Sequence, residues 1–65
     1  MPNVIVEWLE GRSPEQKAEL AQALTEAMST VGRVGAEHLH VRFVDVSPGD
    51  WAIGGSLLDG TGHPD

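Results

Sequence analysis

The sequence predicts a small α/β (α+β) chain built on one parallel β-α-β unit with a short hairpin near its C-terminal end. Three observations carry this. Two runs rich in β-branched and aromatic residues read as strands, the amphipathic stretch between them begins with a strong helix-start signal, and the lengths match. A helix over Pro14–Val31 is about 27 Å long, and a strand of about eight residues spans about 26 Å. The helix therefore returns the chain to the level where the first strand began, and the second strand runs parallel to it through a right-handed crossover.

The first strand covers residues 2 to 9, where Val4, Val6 and Trp8 alternate with Ile5 and Leu9, so both faces carry apolar side chains. Glu10-Gly11-Arg12 breaks it. Ser13 is the helix N-cap, Pro14 takes the first helical position, and Gln16 completes a capping box. Leu20, Ala21, Leu24, Ala27, Met28 and Val31 form an apolar stripe, with Glu15, Glu19, Gln22 and Glu26 elsewhere on the surface, and Gly32 ends the helix. The second strand is Leu39–Val46, with Leu39, Val41 and Phe43 on one face and His40, Arg42 and Val44 on the other. Ser47-Pro48-Gly49-Asp50 is a turn, Trp51–Gly55 a compact segment suited to a small hairpin, and 60–65 a disordered tail.

Sixty-five residues make a single domain over 1–65, and a chain of that size buries only about 60% of its unfolded surface. Without cysteine, neither a disulfide nor a thiolate metal site can staple it. One helix covers one face of a two-stranded sheet, so the other face needs a second copy, and a homo-oligomer is expected. Ten acidic residues against four Lys and Arg give a net charge of -6, which repels nucleic acid and anionic membranes. No signal peptide or membrane span is visible, and the expected location is the cytoplasm.

Chemistry centres on Pro2. If Met1 is removed, Pro2 carries a free secondary amine, which is a base; with Met1 in place the same nitrogen is an amide and is not. Arg12 lies beyond the far end of the first strand, about 26 Å away, so the two cannot share a pocket in one chain. In an antiparallel dimer they can.

The opening Pro2-Asn3-Val4-Ile5-Val6, the run Glu10-Gly11-Arg12-Ser13-Pro14-Glu15-Gln16-Lys17 and the late Trp51-Ala52-Ile53-Gly54-Gly55 together resemble the 4-oxalocrotonate tautomerase family over about residues 2 to 58. The resemblance implies β-α-β protomers assembled into dimers and commonly hexamers, no cofactor, and an amino-terminal proline as general base and acid in enol-keto interconversion. Position by position, Pro2 matches the catalytic proline and Arg12 an arginine that binds a substrate carboxylate from a neighbouring subunit. Trp51 matches an aromatic pocket wall, and Leu9 a lining residue. His40 departs from the pattern, standing where well-studied members have a second arginine. It can donate a hydrogen bond to a carbonyl when neutral and carry charge when protonated; Arg42, further along the same face, is the other candidate for that role.

Plainer readings stand beside these. Arg12 alone is a solvated loop charge, Trp51 is packing, Gly54 and Gly55 are turn residues, and Arg42 is an interface ion pair. His38 and His40 share a face if the strand reaches back that far, but no further ligand accompanies them and no metal is expected. The small-molecule partner is a carboxylate. Two rival functions remain: hydration or hydrolytic dehalogenation of an unsaturated acid on the same scaffold, with Glu7 or Asp45 activating water, and a non-catalytic oligomeric binding protein.

Overall fold

Alternation of apolar side chains decides how the long strands lie. In the computed structural model, which describes residues 2–62, β1 (Asn3–Leu9) and β2 (His40–Val46) pair in parallel, from Asn3 opposite His40 to Leu9 opposite Val46. The ladder runs one bond past each end: the His40 N–H donates to the Pro2 carbonyl at 3.2 Å and the Glu10 N–H to the Val46 carbonyl at 2.9 Å. Val4, Val6, Trp8, Val41 and Phe43 are half-buried, whereas Asn3, Ile5, Glu7 and Leu9 are exposed. This period of two is that of a sheet with one covered face.

The cover is α1 (Pro14–Thr30). Its capping box forms as the sequence predicts: the Gln16 N–H donates to Ser13 Oγ at 3.1 Å and the Ser13 N–H to Gln16 Oε1 at 2.9 Å, pairing two of the orphan donors of the first turn. Its inward stripe is Lys17, Leu20, Ala21, Leu24, Thr25, Met28 and Ser29, all half-buried. Val31 and Ala27, which the helical period assigns to this stripe, lie outside it. Val31 is the C-cap and 81% exposed, and Ala27 is exposed as well. Gly32 follows, and a Cβ there would sit 2.7 Å from the Met28 carbonyl oxygen, so close approach to the last turn demands glycine. The left-handed residue is Arg33, at φ 57°.

Residues 36 to 38 form a 3-10 turn, and the Leu39 N–H bonds to the Ala36 carbonyl, so β2 starts at His40 instead of Leu39. His38 is thereby outside the alternation and does not share a sheet face with His40. It lies beside Glu37, with 3.6 Å between Nε2 and Oε2. A second 3-10 turn, Pro48–Asp50, leads to an antiparallel hairpin of β3 (Ala52–Ile53) and β4 (Ser56–Leu57). Gly54 and Gly55 join its strands at φ 61° and 88°, the two positive angles that a type I′ turn requires. Beyond it the Gly60 N–H bonds to the Leu57 carbonyl and the Thr61 N–H to Asp59 Oδ1, while the part of the expected tail at 63–65 lies outside the described residues.

Among the described residues none is buried. Ile5 is 54% exposed on the uncovered face of the sheet and Ile53 66% exposed on the hairpin. The radius of gyration is 15.9 Å, against about 11 Å for a compact chain of this length. No helix among the described residues is long and apolar enough to cross a membrane. A single copy lacks the interior that would offset the conformational entropy of folding. At micromolar concentration the protein is therefore expected to sediment as an oligomer. Ile5→Glu, which sets charge on the bare face, should dissociate and unfold it together, and a folded Ile5→Glu monomer would show that one copy suffices.

Candidate functional site

The parallel register separates the candidate residues into two groups. Pro2 is exposed at the start of β1, and its carbonyl takes the backbone N–H of His40, so these two lie side by side. Arg42, opposite Ile5, projects from the uncovered face one alternation further along. At the other end, about 20 Å away along β1, are Leu9, Arg12 and Trp51. Leu9 is opposite Val46 and 37% exposed on the uncovered face. Trp51 is half-buried and borders a shallow depression of about 260 Å³ with Glu7, Val46, Asp50 and Ala52.

Arg12 takes a different side. Its guanidinium carbon lies 5.1 Å from the centroid of the Trp8 ring, within cation–π range, and the two residues line a second depression of about 380 Å³ with Gln16, Glu19, Leu20 and Ala23. Among the described residues no carboxylate lies within ion-pair distance of Arg12, so its N–H donors are available to an anion. Neither depression is lined by Pro2 or His40. Within one chain, the base and the carboxylate binder do not meet.

Asp45, which the sequence offers only as a carboxylate for the rival water chemistry, is joined here to Trp8 and Lys17, for which the sequence suggests no site role. The Trp8 indole stacks on Phe43 with centroids 5.5 Å apart and planes at 20°, and its Nε1–H donates to Asp45 Oδ1 at 2.7 Å. The second oxygen of Asp45 is bonded by the Lys17 ammonium. Two signals exist in hindsight: Trp8 shares the parity of Val4 and Val6, and Lys17 is a cation close to the positive end of a helix, where it needs an anion. Asp45 is thus engaged at both oxygens. The Lys17 hydrogen bond first, and the Trp8 N–H second, hold its carboxyl below the ordinary aspartate pKa.

Because the folded-state pKa is depressed, the stability Asp45 contributes is fully present above the ordinary aspartate value and is lost as pH falls through the lowered one. Denaturant titrations of the parent and of Asp45→Asn, from about pH 7 to about pH 2, are expected to differ at neutral pH and converge only at the acid end. A gap of constant size across that range would mean that the ionised carboxylate is not the stabilising form.

The family model for tautomerase enzymes matches residues 2–59. A probable tautomerase of Streptococcus agalactiae is 40% identical over 57 residues, which cover 88% of this chain and 95% of the relative. Among solved structures, a 4-oxalocrotonate tautomerase homologue aligns with a TM-score of 0.84 at 39% identity, over 91% of this chain and 94% of that one. A chain from the heterohexamer 4-oxalocrotonate tautomerase of Chloroflexus aurantiacus aligns with a TM-score of 0.81 at 36% identity, covering 94% and 98%.

Proposed function

Because the chain belongs to the tautomerase enzyme family and is a 4-oxalocrotonate tautomerase-like isomerase, we propose that it interconverts enol and keto forms of a small 2-hydroxydienoate or 2-oxo acid, with the amine of Pro2 as base and acid. The observation that supports this most is the division of the candidate residues between the two ends of one parallel strand pair. Pro2 and His40 are adjacent at one end, and Arg12, free of any carboxylate partner among the described residues, is at the other. Two copies with their strands laid antiparallel would bring the strand end that carries Arg12 toward the Pro2 end of its partner.

In such a pocket Arg12 offers a planar fork of N–H donors to a carboxylate. The Pro2 nitrogen accepts the proton of the 2-hydroxyl group, the oxygen's electron pair closes the carbonyl, the double bond shifts, and the proton returns from Pro2 to carbon. A generic α-amino group has a pKa of about 7.7 to 8.0, near the value a base needs at neutral pH. Partial burial against Trp51 and the nearby cation of Arg12 disfavour the ammonium and offset proline's greater basicity. His40, beside Pro2, polarises the developing carbonyl oxygen, with Arg42 as its alternative. For hydration or dehalogenation on the same scaffold, water needs a carboxylate base. Asp45 is engaged with Lys17 and Trp8, which leaves Glu7 for that rival chemistry.

The amine gives the test. A chain that keeps Met1, or carries any N-terminal extension, has an amide at Pro2 and is expected to lose activity about 100-fold or more, the scale of general acid–base catalysis, while remaining folded. Processed Pro2→Ala retains a primary amine and a reduced rate. Intact mass identifies each form, and equal turnover by blocked and processed chains would remove Pro2 from the chemistry.

A second test addresses His40. If its imidazole stands in for a second arginine by hydrogen-bonding the substrate, His40→Ala should raise KM for a dicarboxylate more than for a monocarboxylate. His40→Arg should then lower KM for a dicarboxylate relative to a monocarboxylate, since a planar fork of donors replaces an imidazole. Equal changes for both substrates would shift the role to Arg42.

A further inference from the structure

We infer that Trp8 positions Arg12, holding the flat face of the guanidinium against its indole so that the in-plane N–H donors stay open to a substrate carboxylate. The inference rests on reading Arg12 as the carboxylate binder. What Arg12 must do conflicts with what its surroundings in the chain provide. Arg12 follows the exposed Glu10 and Gly11 in the loop before α1, and among the described residues it has no carboxylate to hold it. A long side chain in that setting samples many rotamers, and a ligand that orders it loses affinity in doing so.

Trp8 answers that need by geometry. The guanidinium carbon is 5.1 Å from the indole centroid, within cation–π range, and a planar guanidinium can lay its flat face on an aromatic ring. In that pose an anion approaching in the plane of the fork would meet its N–H groups. The indole is itself held twice. Phe43 stacks on it at 5.5 Å, and its Nε1–H bonds at 2.7 Å to Asp45, whose other oxygen is bonded by Lys17. Lys17 stands on α1 and Asp45 on β2, so the orientation of the ring, and through it of Arg12, is referred to both covering layers of the fold. Phenylalanine at position 8 would keep the aromatic face and lose only the bond to Asp45. Leucine would remove the face.

Steady-state kinetics on the processed protein with a 2-hydroxydienoate carry the test. Trp8→Leu is expected to raise KM about two- to tenfold, the range set by ordering one long side chain, with kcat little changed, and Trp8→Phe should restore most of the loss. In an Arg12→Ala background Trp8→Leu should add nothing. If Arg12→Ala leaves KM unaltered, the carboxylate role of Arg12 fails and this inference with it; if Arg12→Ala raises KM and Trp8→Leu does not, or lowers it, only the role of Trp8 is overturned. A readout that leaves Trp8 in place guards against a variant that does not fold. Trp8 and Trp51 are the two tryptophans, so Trp51→Phe isolates Trp8 emission. Arg12→Ala should then shift that emission, and titration with fumarate should change it only while Arg12 is present. Emission indifferent to both would overturn the inference.

Discussion

One helix lies on one face of a two-stranded sheet, and the remaining features follow from that shortage of cover. Two strands spaced about 4.8 Å apart give the helix a platform barely wider than itself, so the side chains it meets are only half-buried and none among the described residues is fully enclosed. The opposite face keeps Ile5 and Leu9 in solvent, and the hairpin keeps Ile53 there too. With no cysteine to restrain the unfolded chain, association between copies is the available source of further burial. Assembly is on this account a condition of folding.

The same geometry separates the candidate chemical groups. A parallel pair joined by a helix has both strand beginnings at one end and both strand ends at the other. Pro2 and His40 therefore share one end, and Arg12 and Trp51 the other. A pocket needing a proline amine and an arginine fork cannot be completed inside the chain, whatever rotamers are chosen. Stability and the proposed chemistry thus both call for a second copy of the chain, and a change that weakens association acts on both.

On the covered side, the network of Lys17, Asp45, Trp8 and Phe43 ties helix to sheet with polar and aromatic contacts where an apolar core is thin. An exposed ion pair alone contributes little. Here the carboxylate is shared between an ammonium and an indole N–H, and the indole is stacked on a neighbouring ring, so one site fixes the tilt of the helix and the plane of Trp8 together. The depression beside it is where Arg12 rests. The chain has four Lys and Arg in all, and one of them closes this network while another lies on the ring it orients.

The sequence by itself determines most of the local features and the order in which they connect. The capping box of Ser13 and Gln16, the Gly54-Gly55 turn, the alternation along β1 and β2, and the parallel crossover follow from residue type, period and length. The candidate residues are legible to the same degree: the two ends at which Pro2, His40, Arg12 and Trp51 lie can be read from chain order. Contacts that depend on how the helix is rotated and shifted over the sheet are not. Val31 fits the helical period and is nonetheless 81% exposed. His38 is two residues from His40 and leaves its face because a 3-10 turn, closed by the Leu39 N–H, delays the strand. Lys17 meets Asp45 across 28 positions, and Trp8 meets Asp45 across 37, through a register that no local pattern encodes. Local periodicity fixes which face a residue occupies; only packing of one layer on another decides which residue stands opposite it.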